Sequence, residues 1–171
     1  MDLSRLPPSD AAVALRGLER RYRGLFSGLG DDEAPDDVAH RQVQGWSAIE
    51  HIVAAAWAIA AAERALAAVL TRDTPNLAAA DVDPDARPKP GSPTGTVHER
   101  LSELGLEAVA LAGRVESVPA EDWDRKATVE GTGRTVTALD ITRSAVDAGV
   151  THLRAAETVL NAVRRRPIDP S

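Results

Sequence analysis

The segment WSAIEHIVAAAWAIAAAERALAAVL, residues 46–70, contains the clearest helix start in the chain. Ser47 is followed three residues later by Glu50, which is the capping-box spacing: each side chain hydrogen-bonds the other residue's free backbone N–H. The alanines that follow lose the least free energy on entering a helix. We therefore predict a helix from the Ser47 cap to about Leu70. Its inward face is predicted to carry Glu50, Val53, Ala54, Trp57, Ala61, Ala65, Leu66 and Val69.

Three further segments have the apolar periodicity of amphipathic helices. They extend from about Ser9 to Phe26, from a second capping box at Thr96–Glu99 to Val118, and from about Thr137 to Arg164. Ser9 is predicted to cap the first of them. Arg164–Arg166 complement the C-terminal dipole of the last, and Pro167 is predicted to end it. The inward face of the first helix is predicted to contain Val13, Leu15, Leu18, Tyr22 and Leu25.

The connections between these helices have their own signals. Residues Thr71–Pro93 contain five prolines, which cannot continue a helix, and therefore predict a long crossing loop. Residues 127–129 and 134–136, joined by a glycine-containing turn, predict a short hairpin before the last helix. Four amphipathic helices of about 20 to 28 residues are typical of a four-helix bundle. The predicted fold is therefore an all-α four-helix bundle, with residues 1–171 forming one domain.

Composition excludes several classes of protein. The 171 residues include no cysteine, so disulfides, thiolate metal sites and a cysteine nucleophile are excluded. A net charge of −6 argues against a nucleic-acid surface. No run approaches the ~20 uninterrupted apolar residues of a membrane span, and the N-terminal MDLSRLPPSD lacks the apolar core of a secretion signal. We predict a helical, cytoplasmic protein that binds neither nucleic acid nor membrane.

Bundles build their sites from side chains that point inward, so the four histidines are the first candidates. His152 lies on the apolar face of the last helix, where it is either a hydrogen-bonded core residue or a functional group. His51 occupies the position that packs on Trp46 in a hydrophobic staple, which favours a structural role. His40, in a polar loop, and His98, in the first turn of its helix, are predicted to be solvent-exposed.

Two motifs resemble the DinB-like superfamily, which includes metal-dependent thiol transferases. Trp46-Ser47-Ala48-Ile49-Glu50 is similar to the W-S-x-x-E opening of that family's second helix, and His152-Leu153-Arg154 to the end of its H-x-x-x-H-L-R motif in the fourth. The stretch from Trp123 to Asp140 resembles the actinobacterial branch, which is related to mycothiol-dependent maleylpyruvate isomerases.

The resemblance implies a metal site of three histidines, one eight residues after the tryptophan and two spaced four apart on the fourth helix. In this chain those positions hold Ala54, Ala148 and His152, so one of three ligands remains. A single imidazole cannot hold a divalent metal tightly, because even changes outside the ligand set weaken such sites by about 10–100-fold. We therefore expect no metal and no cofactor.

Three functions follow from this sequence. The first is a metal-free pocket between the second and fourth helices for a small, mostly apolar molecule. Its polar group is His152, which either binds or carries a proton in simple acid–base chemistry. The second is a metal-dependent thiol S-transferase or isomerase, with mycothiol as the thiol. The third is a non-catalytic interaction protein, since the resemblance implies a homodimer. The residues predicted to line the pocket are Tyr22, Trp46, Ala54, Trp57, Ala148 and His152.

Overall fold

Four long helices account for most of the computed structural model, which describes residues 5–30, 33–42 and 44–165. They are α1 (Pro8–Gly24), α3 (Ala48–Thr71), α5 (Val97–Ser117) and α6 (Ala138–Arg164), with two short helices between them, α2 (Pro35–His40) and α4 (Ala79–Val82). The predicted four-helix fold is therefore confirmed. Arg166 and Pro167, predicted to complete and end the last helix, lie outside the described residues.

The four long helices form a ring in which sequence neighbours are not always spatial neighbours. α1 packs against α5 and α6, and α3 packs against the same two helices. The order around the bundle is therefore α1, α5, α3, α6, with α1 diagonal to α3 and α5 diagonal to α6. The core that they enclose contains Leu15, Leu18, Ile52, Ile59, Leu104 and Leu111, all buried.

The helix α3 is buried on nearly every side. Ile49, Ile52 and Ile59, which lie outside its predicted inward face, are fully buried, because α5 and α6 flank it. Trp57, predicted to face inward, is instead 45% exposed. α3 is long and apolar enough by composition to cross a membrane, yet 67% of its most apolar window is buried inside the bundle. That burial is typical of a helix packed in the core of a protein.

Both predicted capping boxes are present, and α6 begins with a third, formed by Thr137 and Asp140. The predicted cap of α1 is wrong. That helix begins at Pro8, with Pro7 at the N-cap and no side-chain cap, so Ser9 lies within the first turn. Proline suits this position, because its fixed φ is helical and the N–H that it lacks would have no helical partner.

Removing the Ser47 hydroxyl is expected to lower the free energy of unfolding by about 2 kcal/mol. Glu50 Oε2 accepts from the Ser47 N–H at 2.6 Å and from the Ser47 Oγ at 2.7 Å, and the carboxylate is buried. Ser47→Ala therefore loses a helix cap and one partner of a buried charge. Urea unfolding measures the change, and Ser9→Ala is the matched control with an expected change within ~0.5 kcal/mol. Equal losses in the two variants would contradict the role of Ser47 as the stabilising cap of α3.

The predicted crossing loop between α3 and α5 is more structured than its prolines indicate. It contains the strand β1 (Asn76–Leu77), the helix α4 and a 3-10 turn at Pro84–Ala86. The predicted hairpin is confirmed as β2 (Lys126–Val129) and β3 (Thr135–Thr137), and β1 pairs with β2 in parallel to make a three-stranded sheet. With two residues, β1 is too short to have a periodic pattern in the sequence. It forms because it pairs with β2, which lies about fifty residues further along the chain.

Candidate functional site

Two histidines from neighbouring helices meet where the start of α3 packs against the middle of α6. His51 lies in the first turn and a half of α3, and His152 lies near the middle of α6. Because α3 and α6 pack side by side, the Nδ1 atoms of the two rings lie 3.1 Å apart. A hydrogen bond between two such nitrogens requires that one ring donates its Nδ1–H while the other accepts with a bare Nδ1. We call these two residues the histidine pair.

Trp46 covers the histidine pair. Its ring is stacked on His152 with an interplanar angle of 10° and 5.9 Å between centroids, and it is tilted against His51 at 5.3 Å. The contact with His51 is the packing that the staple position predicts. The position of Trp46, directly before the Ser47 cap, therefore fixes an aromatic wall beside both imidazoles.

Both imidazoles are held in the neutral form. Burial, the largest cause, and charge repulsion from His51 and Arg87 together lower the pKa of His152 to about 4. Burial also lowers the pKa of His51, although Glu50 opposes that effect. Protonation of the accepting Nδ1 would place one positive charge in this half-buried site and set two Nδ1–H groups against each other, which breaks the Nδ1–Nδ1 hydrogen bond. Near neutral pH the pair therefore shares a single proton between the facing atoms.

Glu50 is a structural carboxylate. Burial alone would raise its pKa, but hydrogen bonds from Ser47 and Gln42 outweigh that effect and leave the pKa lowered. Its Oε2 accepts from Ser47 N, Ser47 Oγ and Gln42 Nε2, the last at 3.1 Å. A carboxylate occupied in this way holds the start of α3 in place beside His51.

A cavity of about 280 Å³ opens next to His152. Helix residues form one side of it, and the loop that follows α4 forms the other. Arg87 fixes that loop, because its Nε donates to the Ala80 carbonyl at 2.9 Å, while Arg64 of α3 binds Asp81 at 3.0 Å. The lining residues are Trp46, Ala54, Trp57, Pro84, Asp85, Arg87, Pro88, Lys89 and His152.

Four residues predicted for the pocket line this cavity, and two do not. Trp46, Ala54, Trp57 and His152 are in its wall, with Trp57 at the solvent side. Tyr22 lies in the core instead, fully buried, where its hydroxyl donates to the Gly149 carbonyl at 2.8 Å. Ala148 is buried on α6 away from the cavity wall. Tyr22 was named from the inward face of α1, which lies diagonal to α3, and Ala148 from a ligand position that the resemblance implies. Neither kind of signal shows which side chains reach this cavity.

Several residues of this site have no strong signal in the sequence. The staple position accounts for His51 as a structural residue, and its contact with His152 depends on how α3 and α6 pack. Asp85, Arg87 and Lys89 come from the segment predicted only as a crossing loop. Its unusual length was the signal for them, because long loops in compact domains often cover functional sites. The exposed His98 and His40 lie outside the cavity wall, with His40 at the end of α2 rather than in a loop.

The residues at this site do not fit the three-histidine metal centre. Ala54 and Ala148 present methyl groups where ligands would be needed, and His51 supplies only a second imidazole. Within residues 5–30, 33–42 and 44–165, no group of three histidine, cysteine, aspartate or glutamate side chains is close enough to hold a metal ion. The Nδ1 atoms of His51 and His152 are hydrogen-bonded to each other.

The fold is shared with a solved structure, YfiT from Bacillus subtilis, described as "a probable metal-dependent hydrolase with an unusual four-helix bundle topology". The two structures superpose with a TM-score of 0.71 over 91% of this chain and 86% of YfiT, at 16% sequence identity. At that identity the likeness shows the fold alone. No protein-family model matches the chain, and no curated protein matches it at a significant level.

Proposed function

We propose that this chain is a DinB-like bundle that works without the family's metal and binds a small, mostly apolar molecule. The observation that carries the proposal is the cavity beside His152, of a size for a small metabolite and walled by two indole rings. The W-S-x-x-E and H-L-R motifs and the four-helix fold support the DinB-like assignment. The alanines at two ligand positions support the absence of the metal.

His152 of the histidine pair gives the ligand a polar anchor in this cavity. His51 occupies the Nδ1 of His152, so Nε2 is the His152 ring nitrogen not engaged by its partner. With its pKa lowered to about 4, His152 is a weak base at neutral pH, and general acid–base catalysis is most effective when the pKa lies near the working pH. The site therefore favours binding, with His152 as a hydrogen-bonding group, over proton transfer.

A matched pair of probes tests this role of His152. 3-Phenylpropanol is expected to bind the wild-type chain, and His152→Leu is expected to weaken that binding about tenfold, because one buried hydrogen bond is lost. Propylbenzene lacks the hydroxyl, so its affinity should change little. Isothermal titration calorimetry measures both, with His98→Leu as the exposed-histidine control. If neither probe binds, or if both lose affinity equally in His152→Leu, the proposed role is wrong.

The alternative function is a metal-dependent thiol transferase, with mycothiol as the thiol. The wild-type chain and His152→Leu also distinguish this function from metal-free binding. Elemental analysis after incubation with Zn²⁺ or Ni²⁺ and removal of free metal is expected to give far less than one ion per chain. Stoichiometric metal that disappears in His152→Leu would favour the thiol transferase instead.

The homodimer implied by the family resemblance stays a prediction. Three exposed apolar side chains, Val13 of α1 and Leu106 and Val109 of α5, belong to two helices that pack against each other. They are the surface that we propose for pairing. The histidine pair belongs to the other two long helices, α3 and α6.

A further inference from the structure

A second cavity lies on the other side of Trp57. It has a volume of about 250 Å³, and its wall includes Val53, Trp57, Arg100 and the loop at residues 90–94. Trp57 also lines the first cavity, so one partly exposed indole separates the two. The same stretch of chain, residues 84–94, continues over both cavities. Together they form a groove along the outer face of α3, divided by a single aromatic ring.

Arg100 of α5 gives this second cavity its polar character. Its Nη1 donates to both carboxylate oxygens of Glu103, at 2.9 and 2.7 Å. Its Nε is buried and has no hydrogen-bond partner in the part of the chain that the structure describes. A buried donor without an acceptor is unfavourable, so an acceptor supplied by a ligand would stabilise this guanidinium. The fork of a guanidinium is matched best by a planar anion such as a carboxylate.

The loop before α5 is shaped around this guanidinium. Gly95 has a φ of +96°, and a Cβ placed on it would lie 3.0 Å from Arg100 Nη2 and 3.4 Å from Nε. The same Cβ would lie 2.7 Å from Glu99 Oε2, which is part of the cap of α5. Any side chain at this position would therefore push against the guanidinium or the cap. The glycine lets the backbone pass close to the Arg100 guanidinium.

We propose that the second cavity is a binding subsite for a carboxylate, with Arg100 as its recognition residue. The ligand of this chain is then an elongated molecule: an apolar body in the first cavity beside His152, a link that passes over Trp57, and a carboxylate on Arg100. This proposal rests on the proposed function, because it assigns the body of the same ligand to the first cavity. The three cations along the groove, Arg87, Lys89 and Arg100, favour an anionic ligand, while Asp85 and Glu103 limit the total positive charge.

Phenylalkanoates of increasing chain length, from 3-phenylpropionate to 6-phenylhexanoate, test the subsite against their primary alcohols. At the chain length that spans Trp57, the wild-type chain is expected to bind the carboxylate about tenfold more tightly than the alcohol. Arg100→Gln should abolish that preference and leave the affinity of the alcohol unchanged. Arg134→Gln removes the same charge from the exposed turn between β2 and β3, and it should keep the preference. Isothermal titration calorimetry measures each pair.

Each other outcome overturns the proposal. If Arg100→Gln keeps the preference, the subsite is not on Arg100, and the unpaired Nε is satisfied by water. If Arg87→Gln alone abolishes it, the carboxylate binds in the first cavity. In both cases the alcohols still bind and the proposed function stands, whereas if no probe binds, both proposals fail together. Thermal unfolding verifies that the variants fold. Arg100→Lys, which keeps the charge but lacks the guanidinium fork, replaces Arg100→Gln if the latter is unfolded, and it should lose most of the preference.

Discussion

Leu18→Ala is expected to lower the free energy of unfolding by about 2–5 kcal/mol, the range for large-to-small changes in a packed core. Leu18 is fully buried on α1, and it lies against Gly149 of α6 in the core of the bundle. Truncation would leave a cavity where α1 meets α6. Val13→Ala is the control, because Val13 is on the same helix and 72% exposed, so its change should stay within ~0.5 kcal/mol. Urea unfolding of both variants measures the difference.

The size of Leu18 also decides whether Gly149→Ala stabilises or destabilises the protein. A Cβ on Gly149 would lie 2.8 Å from Leu18 Cδ1, which is too close for either atom to stay in place. In the wild-type chain we therefore expect Gly149→Ala to be destabilising, despite the ~1 kcal/mol that alanine gains over glycine within a helix. In the Leu18→Ala background the clash is removed, and the same change should be stabilising. Additive effects in this double-mutant cycle would contradict the close packing of the two residues.

Acid is expected to destabilise the protein through His152 by about 2 kcal/mol. The ordinary histidine pKa of about 6.5 applies to the unfolded chain, and burial, His51 and Arg87 lower it to about 4 in the folded one. The unfolded state therefore binds the proton first. The contribution of neutral His152 is fully present above pH ~6.5 and is lost as the pH falls to ~4. The expected loss of stability is smaller than the free energy that corresponds to the whole pKa shift, because the ring is partly exposed to solvent.

Urea unfolding at pH ~7.5 and pH ~4 measures this loss. Protonation of carboxylates such as Glu50, whose pKa is lowered in the folded chain, also destabilises the protein in acid. The acid-induced loss of the wild-type chain must therefore be compared with that of a variant without His152. His152→Gln cannot titrate at this position and should lose about 2 kcal/mol less than the wild-type chain over that range. His98→Gln, which changes an exposed histidine, should behave as the wild type does. An identical acid sensitivity in His152→Gln and the wild type would show that His152 does not contribute.

Local rules predicted the helices well, because the interactions that start and stop them lie within a few residues. The capping boxes at Ser47 and Thr96 join residues three apart, and they gave the starts of α3 and α5. The same rules misplaced the exposure of Val13 and Trp57. The periodicity of apolar residues shows on which side of a helix a residue lies. Whether that residue is buried depends on which neighbouring helix packs against that side.

The candidate site was predicted only in part, since it combines groups that are distant in sequence. Trp46, Ala54, Trp57 and His152 line the first cavity, as predicted. The contact between His51 and His152 spans about a hundred residues and depends on the depth at which α6 packs on α3. Arg87 belongs to a loop without periodicity. The structure therefore added the partner of His152 and the charged side of the pocket.

The order of helices around the bundle determines how the chain can assemble as it is synthesised. α1 and α3 occupy diagonal corners, so the first half of the chain to leave the ribosome has two apolar helices with little surface for each other. Their shared neighbours, α5 and α6, follow only in the second half. Neither α1 with α3 nor α5 with α6 forms a closed core, so the histidine pair can form only after α6, the latest of these four helices, has been made. Until then the apolar surface of α3, which the folded bundle buries, stays exposed to water.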